Sequence, residues 1–445
     1  MNNIIELRNE ATVLPCTKLS GTLQPPGDKS LSNRVGMLAS IGKGISRVQG
    51  FLASADCVAV LKAMEALGAR THFDRDGELF IHGTDGRFMS PVGPLDLGNS
   101  GTGMRLLAGL LAGSPISATL TGDDSLRGRP MGRIIEPLQA MGARVEALGA
   151  KGCAPLRIEG TRLQGITYEL PVASAQVKSC CMLAALFAEG ATTVVEPAPT
   201  RDHTEQVFRH LDLPFSVDAN RITVDGFGAA GPPVPSKNWR LPADISSAAF
   251  WLVGAAAHRR GALTLKNVGL NPRRTAVIDV LKRMGARIKV TPHKLETTDV
   301  EPYGDIRVVS SKLKGTVIGG TEIPNLIDEL PILAIAGACA DGETVIKDAQ
   351  ELRVKESDRI RAICANLHKL GVAVEEMADG LRIQGPAKPR TRIVLDSGGD
   401  HRIAMALAVF ALLGEARVTI KRVDCIETSY PGFWNDLSKL GGQVE

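Results

Sequence analysis

The segment IIEPLQAMGARVEAL, residues 134–148, has the pattern of an amphipathic helix, a glycine and a short strand. Its signature, of the type Leu-x-x-Met/Leu-Gly with methionine at the start of the first copy, recurs along the chain and ends at Gly68, Gly142, Gly285, Gly371 and Gly441. A degenerate sixth copy in residues 208–215 has Asp212 in the glycine position, and the intervals are 74, 70, 73, 86 and 70 residues. Glycine just past a helix end is the expected left-handed cap. The recurrence therefore predicts six structural repeats.

A second helix, rich in small residues, precedes the amphipathic helix of each repeat. The six helix starts are KSLSNRVGMLAS, SGTGMRLLAGLL, SAQVKSCCMLAALF, DISSAAFWLVGAA, PNLIDELPILAIAG and GDHRIAMALAVF. With a strand after each helix, the pattern predicts an α/β (α+β) fold, and the polar residues at these starts are candidates for function.

The domain organisation follows from where the repeats are interrupted. The proline-rich segment GPPVPSKNWRLP, residues 231–242, separates the third repeat from the fourth. We expect two domains of three repeats: residues 21–241, and residues 1–20 together with 242–445, with a cleft between them.

Composition excludes several classes of protein. The net charge of +4 over 445 residues and the aromatic content of 4% disfavour a general nucleic-acid binder. Eight cysteines without a Cys-x-x-Cys pair suggest a reduced compartment. Charges in MNNIIELRNEATVL argue against a signal peptide, and no apolar run approaches the ~20 residues of a membrane span. We therefore expect a cytoplasmic protein, and without a histidine or Cys/His cluster we expect no metal.

Cationic and small polar residues at the helix starts form a candidate anion site. PPGDKSLSNR, residues 25–34, places Lys29, Ser30 and Arg34 at a helix start, where free N–H groups and the helix dipole favour an anion. LGNSGTGMR, residues 97–105, supplies Asn99 and Gly101 at the second helix start. SAQVKS, residues 174–179, forms the third helix start. A solvated helix end or a capped turn would explain the same residues.

The loops before the amphipathic helices and two later helix starts carry further charges. SLRGRPMGR contains Arg129, TRDHTE contains Arg201, and ELRVKESDR contains Lys355, Glu356 and Arg359. Asp328 in PNLIDELP and Arg402 in SGGDHRIAM precede apolar helices. Such charges are often a solvated helix face or simple caps. Beside cations from other repeats, however, a carboxylate is a plausible proton acceptor.

Taken in order, PGDKSLSNR, GNSGTGMR, RGRPMGR, SAQVKS, TRDHTE, RVKESDR and GGDHRIAM closely resemble the 5-enolpyruvylshikimate-3-phosphate synthase family from about residue 20 to 435. The resemblance implies two domains of three βαβαββ units, with the first residues returning to the C-terminal domain. It also implies transfer of the enolpyruvyl group of phosphoenolpyruvate to the 5-hydroxyl of shikimate 3-phosphate, on the route to chorismate and aromatic amino acids. No metal or other cofactor is implied, glyphosate is the expected inhibitor, and we expect a monomer.

The same resemblance implies roles for individual residues. The catalytic residues would be Lys29, Asp328 and Glu356. Phosphoenolpyruvate would contact Lys29, Asn99, Gly101, Arg129, Gln176, Arg359 and Arg402. Shikimate 3-phosphate would contact Lys29, Ser30, Arg34, Ser174, Ala175, Gln176, Arg201, Asp328 and Lys355. Some relatives have serine in place of Ala175 or lysine near Thr428, so two contacts seen in those relatives would be absent here.

Two alternatives remain. UDP-N-acetylglucosamine enolpyruvyl transferases share the fold and the phosphoenolpyruvate chemistry, but they typically have a Gly-Ala-Lys-Asn start and a loop cysteine, where this chain has GDKS and RGRPMGR. RNA 3′-terminal phosphate cyclases contain related repeats and would instead process nucleic-acid ends.

Overall fold

The computed structural model describes residues 9–387, 389 and 391–445, and these form two compact units. The N-terminal unit is Gly27–Pro242 with Glu296–Glu301. The C-terminal unit contains the described residues up to Pro26, together with Ala243–Leu295 and Pro302–Glu445. Residues 1–8, which we assigned to the C-terminal domain, lie outside the described residues. The short stretch 296–301 in the N-terminal unit was not anticipated from the sequence.

Two strands precede the first repeat, β1 (Glu10–Leu14) and β2 (Leu19–Leu23). The first repeat contains α1 (Lys29–Ile41), β3 (Ile45–Gln49), α2 (Ala55–Ala66), β4 (Arg70–Phe73) and β5 (Leu79–His82). The second contains β6 (Leu95–Asp96), α3 (Gly101–Ala112), β7 (Ser117–Thr121), α4 (Asp124–Arg127), α5 (Gly132–Ala140), β8 (Arg144–Ala147) and β9 (Leu156–Glu159). The third contains β10 (Leu163–Gln164), β11 (Thr167–Glu169), α6 (Ala175–Ala185), β12 (Ala188–Glu189), β13 (Ala191–Val195), α7 (His203–His210), β14 (Phe215–Asp218) and β15 (Arg221–Asp225), and β16 (Asn238–Arg240) follows.

The C-terminal unit repeats the same order of elements. The fourth repeat contains α8 (Ile245–Ala257), β17 (Gly261–Gly269), α9 (Ala276–Arg283), β18 (Arg287–Pro292) and β19 (Tyr303–Val309). The fifth contains β20 (Val317–Ile318), α10 (Ile323–Leu326), α11 (Leu330–Cys339), β21 (Gly342–Ile346), α12 (Arg359–Lys369), β22 (Ala373–Met377) and β23 (Gly380–Gly385). The sixth contains β24 (Ile393–Asp396), α13 (His401–Leu412), β25 (Val418–Lys421), α14 (Phe433–Lys439) and β26 (Gln443–Val444).

Every repeat forms a four-stranded sheet of the same topology. The order in space is first, second, fourth and third strand, as in β6-β7-β9-β8. The first two strands are parallel, and where they are consecutive in the chain the small-residue helix provides the crossover that this requires. The last two strands pair antiparallel and, except in the sixth repeat, form a hairpin after the amphipathic helix. The six predicted βαβαββ repeats are therefore confirmed.

Three of these sheets are completed by strands from elsewhere in the chain. In the N-terminal unit, β16 supplies the first strand of the first repeat by pairing with β3. In the C-terminal unit, β2 supplies the first strand of the fourth repeat, and β1 supplies the fourth strand of the sixth. The segment that returns to this unit therefore runs through β2 to Pro26, because β2 pairs with β17 along its whole length.

The repeat signature marks helix ends in the structure as predicted. The backbone is left-handed at Asp212, with φ of 57°, and at the five signature glycines. Within each unit the small-residue helices pack closely, α3 against α6 and α8 against α11 and α13. A Cβ atom on Gly109 of α3 would lie 2.2 Å from the carbonyl oxygen of Cys180 on α6. Small residues are therefore required for this packing.

One predicted helix start differs from the structure. The segment PNLIDELPILAIAG was expected to begin a single helix, but the structure has α10, a break and then α11. Pro331 lies in the first turn of α11, where proline is tolerated because its missing N–H would have had no helical partner. Asp328 consequently lies in the break and not within a helix.

No helix in the described part of the chain is long and apolar enough to cross a membrane.

Candidate active site

The three small-residue helices of the N-terminal unit, α1, α3 and α6, are capped by side chains at their own N-termini. Asp28 accepts a hydrogen bond from Leu31 N at 2.8 Å at the start of α1. Ser100 accepts one from Gly103 N at 3.1 Å in α3, and Ser174 accepts a longer one in α6. Ser174, predicted to contact shikimate 3-phosphate, is therefore the α6 cap, and Ala175 follows it as the first helical residue.

Lys29 forms an ion pair within its own repeat. Its Nζ atom lies 2.5 Å from Oδ2 of Asp56, on α2, and the side chains are only 17% and 6% exposed. Ser30 follows Lys29 in the first turn of α1 and is half-buried. Asp56 was not among the residues predicted from the sequence, because one acid in the first turn of a helix is common as a dipole partner.

Four of the predicted phosphoenolpyruvate residues lie in one polar network. Arg129 Nη2 donates to Asn99 Oδ1 at 2.6 Å. A Cβ atom added to Gly101 would lie 2.8 Å from Arg129 Nη1 and 3.1 Å from Arg105 Nη1. Arg105 in turn donates to Gln176 Oε1 at 2.7 Å.

The side-chain amide of Gln176 is held at both ends. Its Oε1 atom accepts from Arg105, and its Nε2 atom donates to Thr102 Oγ1 at 2.8 Å. Arg105 was missed in the sequence analysis, although it closes the GNSGTGMR motif and lies one helical turn after Gly101. That i to i+4 spacing could have identified it.

The Arg34 side chain is buried in the interior of the N-terminal unit. It is 3% exposed, and its guanidinium donates to Ser30 O, Ser179 Oγ and Thr204 Oγ1 at 2.7–3.0 Å. Burial lowers the pKa of Arg34 to about 10, against the opposing effect of Glu205. These bonds tie α1 to α6 and α7. Arg201 is half-buried in the loop that enters α7.

Behind these helices, Lys178 is buried between two carboxylates. Its Nζ atom lies 3.2 Å from Glu196 Oε2 and 2.7 Å from Glu205 Oε1. All three side chains are nearly inaccessible to water. Burial raises the pKa of Glu205, while Lys178 acts in the opposite direction. This group was not predicted from the sequence, because its members lie on α6, just after β13 and on α7.

In the C-terminal unit, Arg359 contacts both acidic residues that were predicted from the sequence. It is 1% exposed and donates from Nη2 to Glu356 Oε2 at 2.6 Å and from Nε to Asp400 Oδ2 at 2.8 Å. Its Nη1 atom lies 3.4 Å from Asp328 Oδ1. Burial alone would lower the pKa of Arg359, but the three carboxylates raise it above its ordinary value. Arg359 is therefore a permanent cation.

Arg402 joins the same group from α13. Its Nη1 atom donates to the carbonyl oxygen of Asp328 at 2.9 Å, and its Nε atom lies 3.7 Å from Asp328 Oδ1. Asp400 caps α13 by accepting from Arg402 N at 2.9 Å, as one interpretation of the sequence suggested. It also pairs with Arg359, which the sequence did not indicate. Lys355 is half-buried just before Glu356.

The polar residues of each unit are suited to particular chemistry. Arginine presents a planar fork of donors that matches phosphate and carboxylate groups, so Arg129, Arg359 and Arg402 are suited to anionic ligands. Asp328 and Glu356, held by the same guanidinium, are suited to moving protons. The C-terminal set therefore combines anion binding with acid–base groups.

The described residues also contain a cluster with metal-ligand chemistry. Asp28, His203 and Glu301 are buried in the N-terminal unit, and their ligand atoms lie within 4.8 Å of one another. One oxygen of Asp28 is occupied by the cap of α1, and Oδ2 lies 3.9 Å from His203 Nε2. We assign no metal to this cluster, and the absence of a metal cofactor stays a prediction.

Known proteins match this chain over nearly its full length. The family model described as EPSP synthase (3-phosphoshikimate 1-carboxyvinyltransferase) matches residues 13–437. A 3-phosphoshikimate 1-carboxyvinyltransferase from Akkermansia muciniphila is 50% identical over 433 residues, which cover 95% of this chain and 98% of that protein. One from Chloroflexus aggregans is 45% identical over 436 residues, 98% of this chain and 100% of that protein.

Solved structures give the same result for the fold. The EPSP synthase of Acinetobacter baumannii superposes with a TM-score of 0.85 at 40% identity, covering 98% of this chain and 99% of that one. The enolpyruvyl transferase NikO of Streptomyces tendae, at 20% identity and a TM-score of 0.79, has the same fold. The two-domain enolpyruvyl transferase fold is therefore confirmed. With a family model that matches residues 13–437 and relatives close to half identical, this chain belongs to the EPSP synthase (3-phosphoshikimate 1-carboxyvinyltransferase) family.

Proposed function

We propose that this protein transfers the enolpyruvyl group of phosphoenolpyruvate to the 5-hydroxyl of shikimate 3-phosphate and releases phosphate. The product is 5-enolpyruvylshikimate 3-phosphate, an intermediate on the route to chorismate and aromatic amino acids. Family membership supports this reaction over the two alternatives named above. A cytoplasmic location and a monomeric state stay predictions.

Charge sets the first requirement of the reaction. Both substrates carry a carboxylate and a phosphate, and each phosphate has a charge of about −1.5 to −2 at neutral pH. We propose that Lys29, Arg129, Arg359 and Arg402 bind phosphoenolpyruvate, with Asn99, Gly101 and Gln176 beside it. We propose that shikimate 3-phosphate contacts Lys29, Ser30, Arg34, Ser174, Ala175, Gln176, Arg201, Asp328 and Lys355.

Two of these residues need a qualified role. Arg34 uses three of its five N–H donors to hold α1 against α6 and α7, so it would contact shikimate 3-phosphate through the other two. The hydroxyl oxygen of Ser174 accepts the α6 cap, so its O–H can still donate to a phosphate oxygen.

Proton transfer sets the second requirement. In the proposed mechanism, Glu356 protonates the methylene carbon of phosphoenolpyruvate, which makes C2 electrophilic. Asp328 accepts the proton of the 5-hydroxyl as its oxygen bonds to C2. Return of the methyl proton to Glu356 then forms the new double bond and expels phosphate. General acid and base groups typically contribute about 10² to 10⁴ in rate.

The observation that carries the proposal is the contact of Arg359 with Glu356, Asp328 and Asp400, beside Arg402. One buried cation thereby orders both proposed proton-transfer carboxylates. A charge cluster that only stabilised the fold would not require two acids at its edge whose side chains are 19% and 20% exposed.

Phosphate release tests the function directly. The protein is mixed with phosphoenolpyruvate and one of three partners: shikimate 3-phosphate, UDP-N-acetylglucosamine, or none. We expect phosphate release only with shikimate 3-phosphate, and much less in the Glu356→Gln variant. Release with the UDP-sugar alone would support the first alternative instead. Salt-sensitive binding of an RNA oligonucleotide without phosphate release would support the second.

A further inference from the structure

A network of buried polar side chains begins at the residue that follows the proposed base Asp328. The next residue, Glu329, is inaccessible to water, and its Oε1 atom accepts a hydrogen bond from the hydroxyl of Ser246. Ser246 in turn accepts a hydrogen bond from Arg274 Nη2 at 2.5 Å. The same Nη2 atom lies 3.5 Å from Glu329 Oε1 and 3.6 Å from Asp244 Oδ1. All these groups belong to the C-terminal unit and are at least 95% buried.

At the start of α11, this network of contacts takes the place of a helix cap. The starts of α8 and α13 are fixed by the side chains of Asp244 and Asp400, which accept from their own first turns. At the start of α11, Glu329 occupies the cap position but makes no such bond. Its carboxylate instead reaches across to the first turn of α8. The position of the α11 start is therefore set by Ser246 and Arg274.

The Asp328–Glu329 dipeptide is consequently held from two sides. On one side, Arg402 donates to the carbonyl oxygen of Asp328 at 2.9 Å, and Arg359 lies 3.4 Å from its carboxylate. On the other side, Ser246 and Arg274 hold the carboxylate of Glu329. Because the two residues are adjacent in the backbone, a backbone shift at one is opposed by the contacts of the other.

We propose that Glu329, held by Ser246 and Arg274, is a positioning residue that fixes Asp328 for proton abstraction. The inference rests on the proposed function, because it needs Asp328 to act on the 5-hydroxyl. Stability alone does not account for the group. A buried ion pair can often be replaced by apolar residues of similar size without loss of stability, and Glu329 Oε2 has no hydrogen-bond partner among the described residues.

The test separates positioning from folding by removing both charges together. Arg274→Met/Glu329→Met removes one cation and one anion together, so the net charge of the buried group, to which Asp244 also belongs, is unchanged, whereas either single change alters it. We expect a melting temperature close to that of the parent, a kcat reduced roughly 10- to 100-fold, and KM values for both substrates within about threefold, because a misplacement of about 1 Å costs on the order of 10² in rate. Glu329→Gln, whose amide oxygen can still accept from Ser246, should retain more of kcat than the double variant.

Tyr430→Phe is the matched control. Tyr430 is buried in the same unit, where its hydroxyl accepts from Trp251 and donates to Asp436, so its loss removes a buried polar contact elsewhere. We expect its kcat to stay within about twofold of the parent.

The outcomes distinguish the inference from the proposed function. A folded double variant with the kcat of an active parent would overturn the positioning role. If the double variant does not fold, Ser246→Ala removes only the connecting hydroxyl and is judged by the same split between kcat and KM. A parent that releases no phosphate from phosphoenolpyruvate and shikimate 3-phosphate would instead refute the proposed function.

Discussion

Lys29 Nζ lies 2.5 Å from Asp56 Oδ2, so the lysine proposed to contact both substrates is already paired with a carboxylate of its own repeat. The pair is largely shielded from water, and such pairs hold their geometry better than exposed ones. Asp56 therefore directs the ammonium group, and an incoming anion would share this cation with it.

Loss of either Lys29 or Arg129 should weaken use of phosphoenolpyruvate without unfolding the protein. For Lys29→Met and Arg129→Met we expect kcat/KM to fall roughly 10- to 100-fold, since a hydrogen bond to a charged group contributes about 1.5–3 kcal/mol. Steady-state kinetics measures this. Arg127→Met is the control, because Arg127 is exposed and pairs with Asp124. Equal effects at positions 127 and 129 would contradict the assignment.

The two proposed proton-transfer residues should be separable by isotope exchange. Glu356→Gln preserves the size of the side chain but removes the acid that protonates the methylene carbon. We expect solvent deuterium to enter that group much more slowly than in the parent, by about 10²-fold or more. Exchange at the parent rate would show that another group protonates the carbon. Asp328→Asn should lower kcat by a similar factor.

Gly101→Ala should distinguish glyphosate from phosphoenolpyruvate. The new methyl group would lie 2.8 Å from Arg129 Nη1 and 3.1 Å from Arg105 Nη1, so both guanidinium tips must shift. Overpacking of this kind costs about 1–3 kcal/mol. Because glyphosate is the longer ligand, we expect its inhibition constant to rise by a larger factor than the KM for phosphoenolpyruvate. Competition kinetics tests this, and equal factors would refute it.

Glu205 should make stability depend on pH. Burial raises the pKa of Glu205 above its ordinary 4.5, so the unfolded state loses this proton first and the folded state is destabilised as pH rises. The parent should therefore lose stability relative to Glu205→Gln between pH 4.5 and the raised pKa. Lys178 keeps Glu196 as a partner in this variant.

Melting curves from about pH 3 to 8 test the direction, because the effect of a lowered carboxyl pKa appears below pH 4.5 and that of a raised one above it. Glu78→Gln is an opposite control, because a hydrogen bond from Arg47 lowers the pKa of the Glu78 carboxyl. There the parent should lose stability relative to the variant as pH falls. A constant difference between parent and Glu205→Gln over this range would contradict the prediction.

The fold was predictable because its repeats have a local signal. The turn after each amphipathic helix needs a left-handed residue, so the glycines at 68, 142, 285, 371 and 441 mark the helix ends in the sequence itself. The pairing of strands that are distant in the chain has no such local signal. That β16 pairs with β3, or that β2 continues past residue 20, follows from pairing between distant segments.

The residues of the candidate site likewise include some that the sequence predicts and others that it does not. Lys29, Arg129 and Glu356 lie in motifs with unusual charge at a helix start and could be found from the sequence. Asp56 and Glu329 could not, because an acid near a helix start is expected for capping alone. Their roles depend on which distant side chain faces them, and only the fold decides that.

The pairing of β1 with β25 also sets the order in which the protein can be completed on the ribosome. Thr12 and Thr419 face each other across this pair although 407 positions separate them. At about 5–20 residues per second, β1 must wait roughly 20–80 s for its partner to be synthesised. The N-terminal unit, whose sheets need no strand beyond β16, can mature cotranslationally during that time. The strand awaiting its partner is then a natural client for chaperones, and a circular permutant that moves it next to β25 should refold faster.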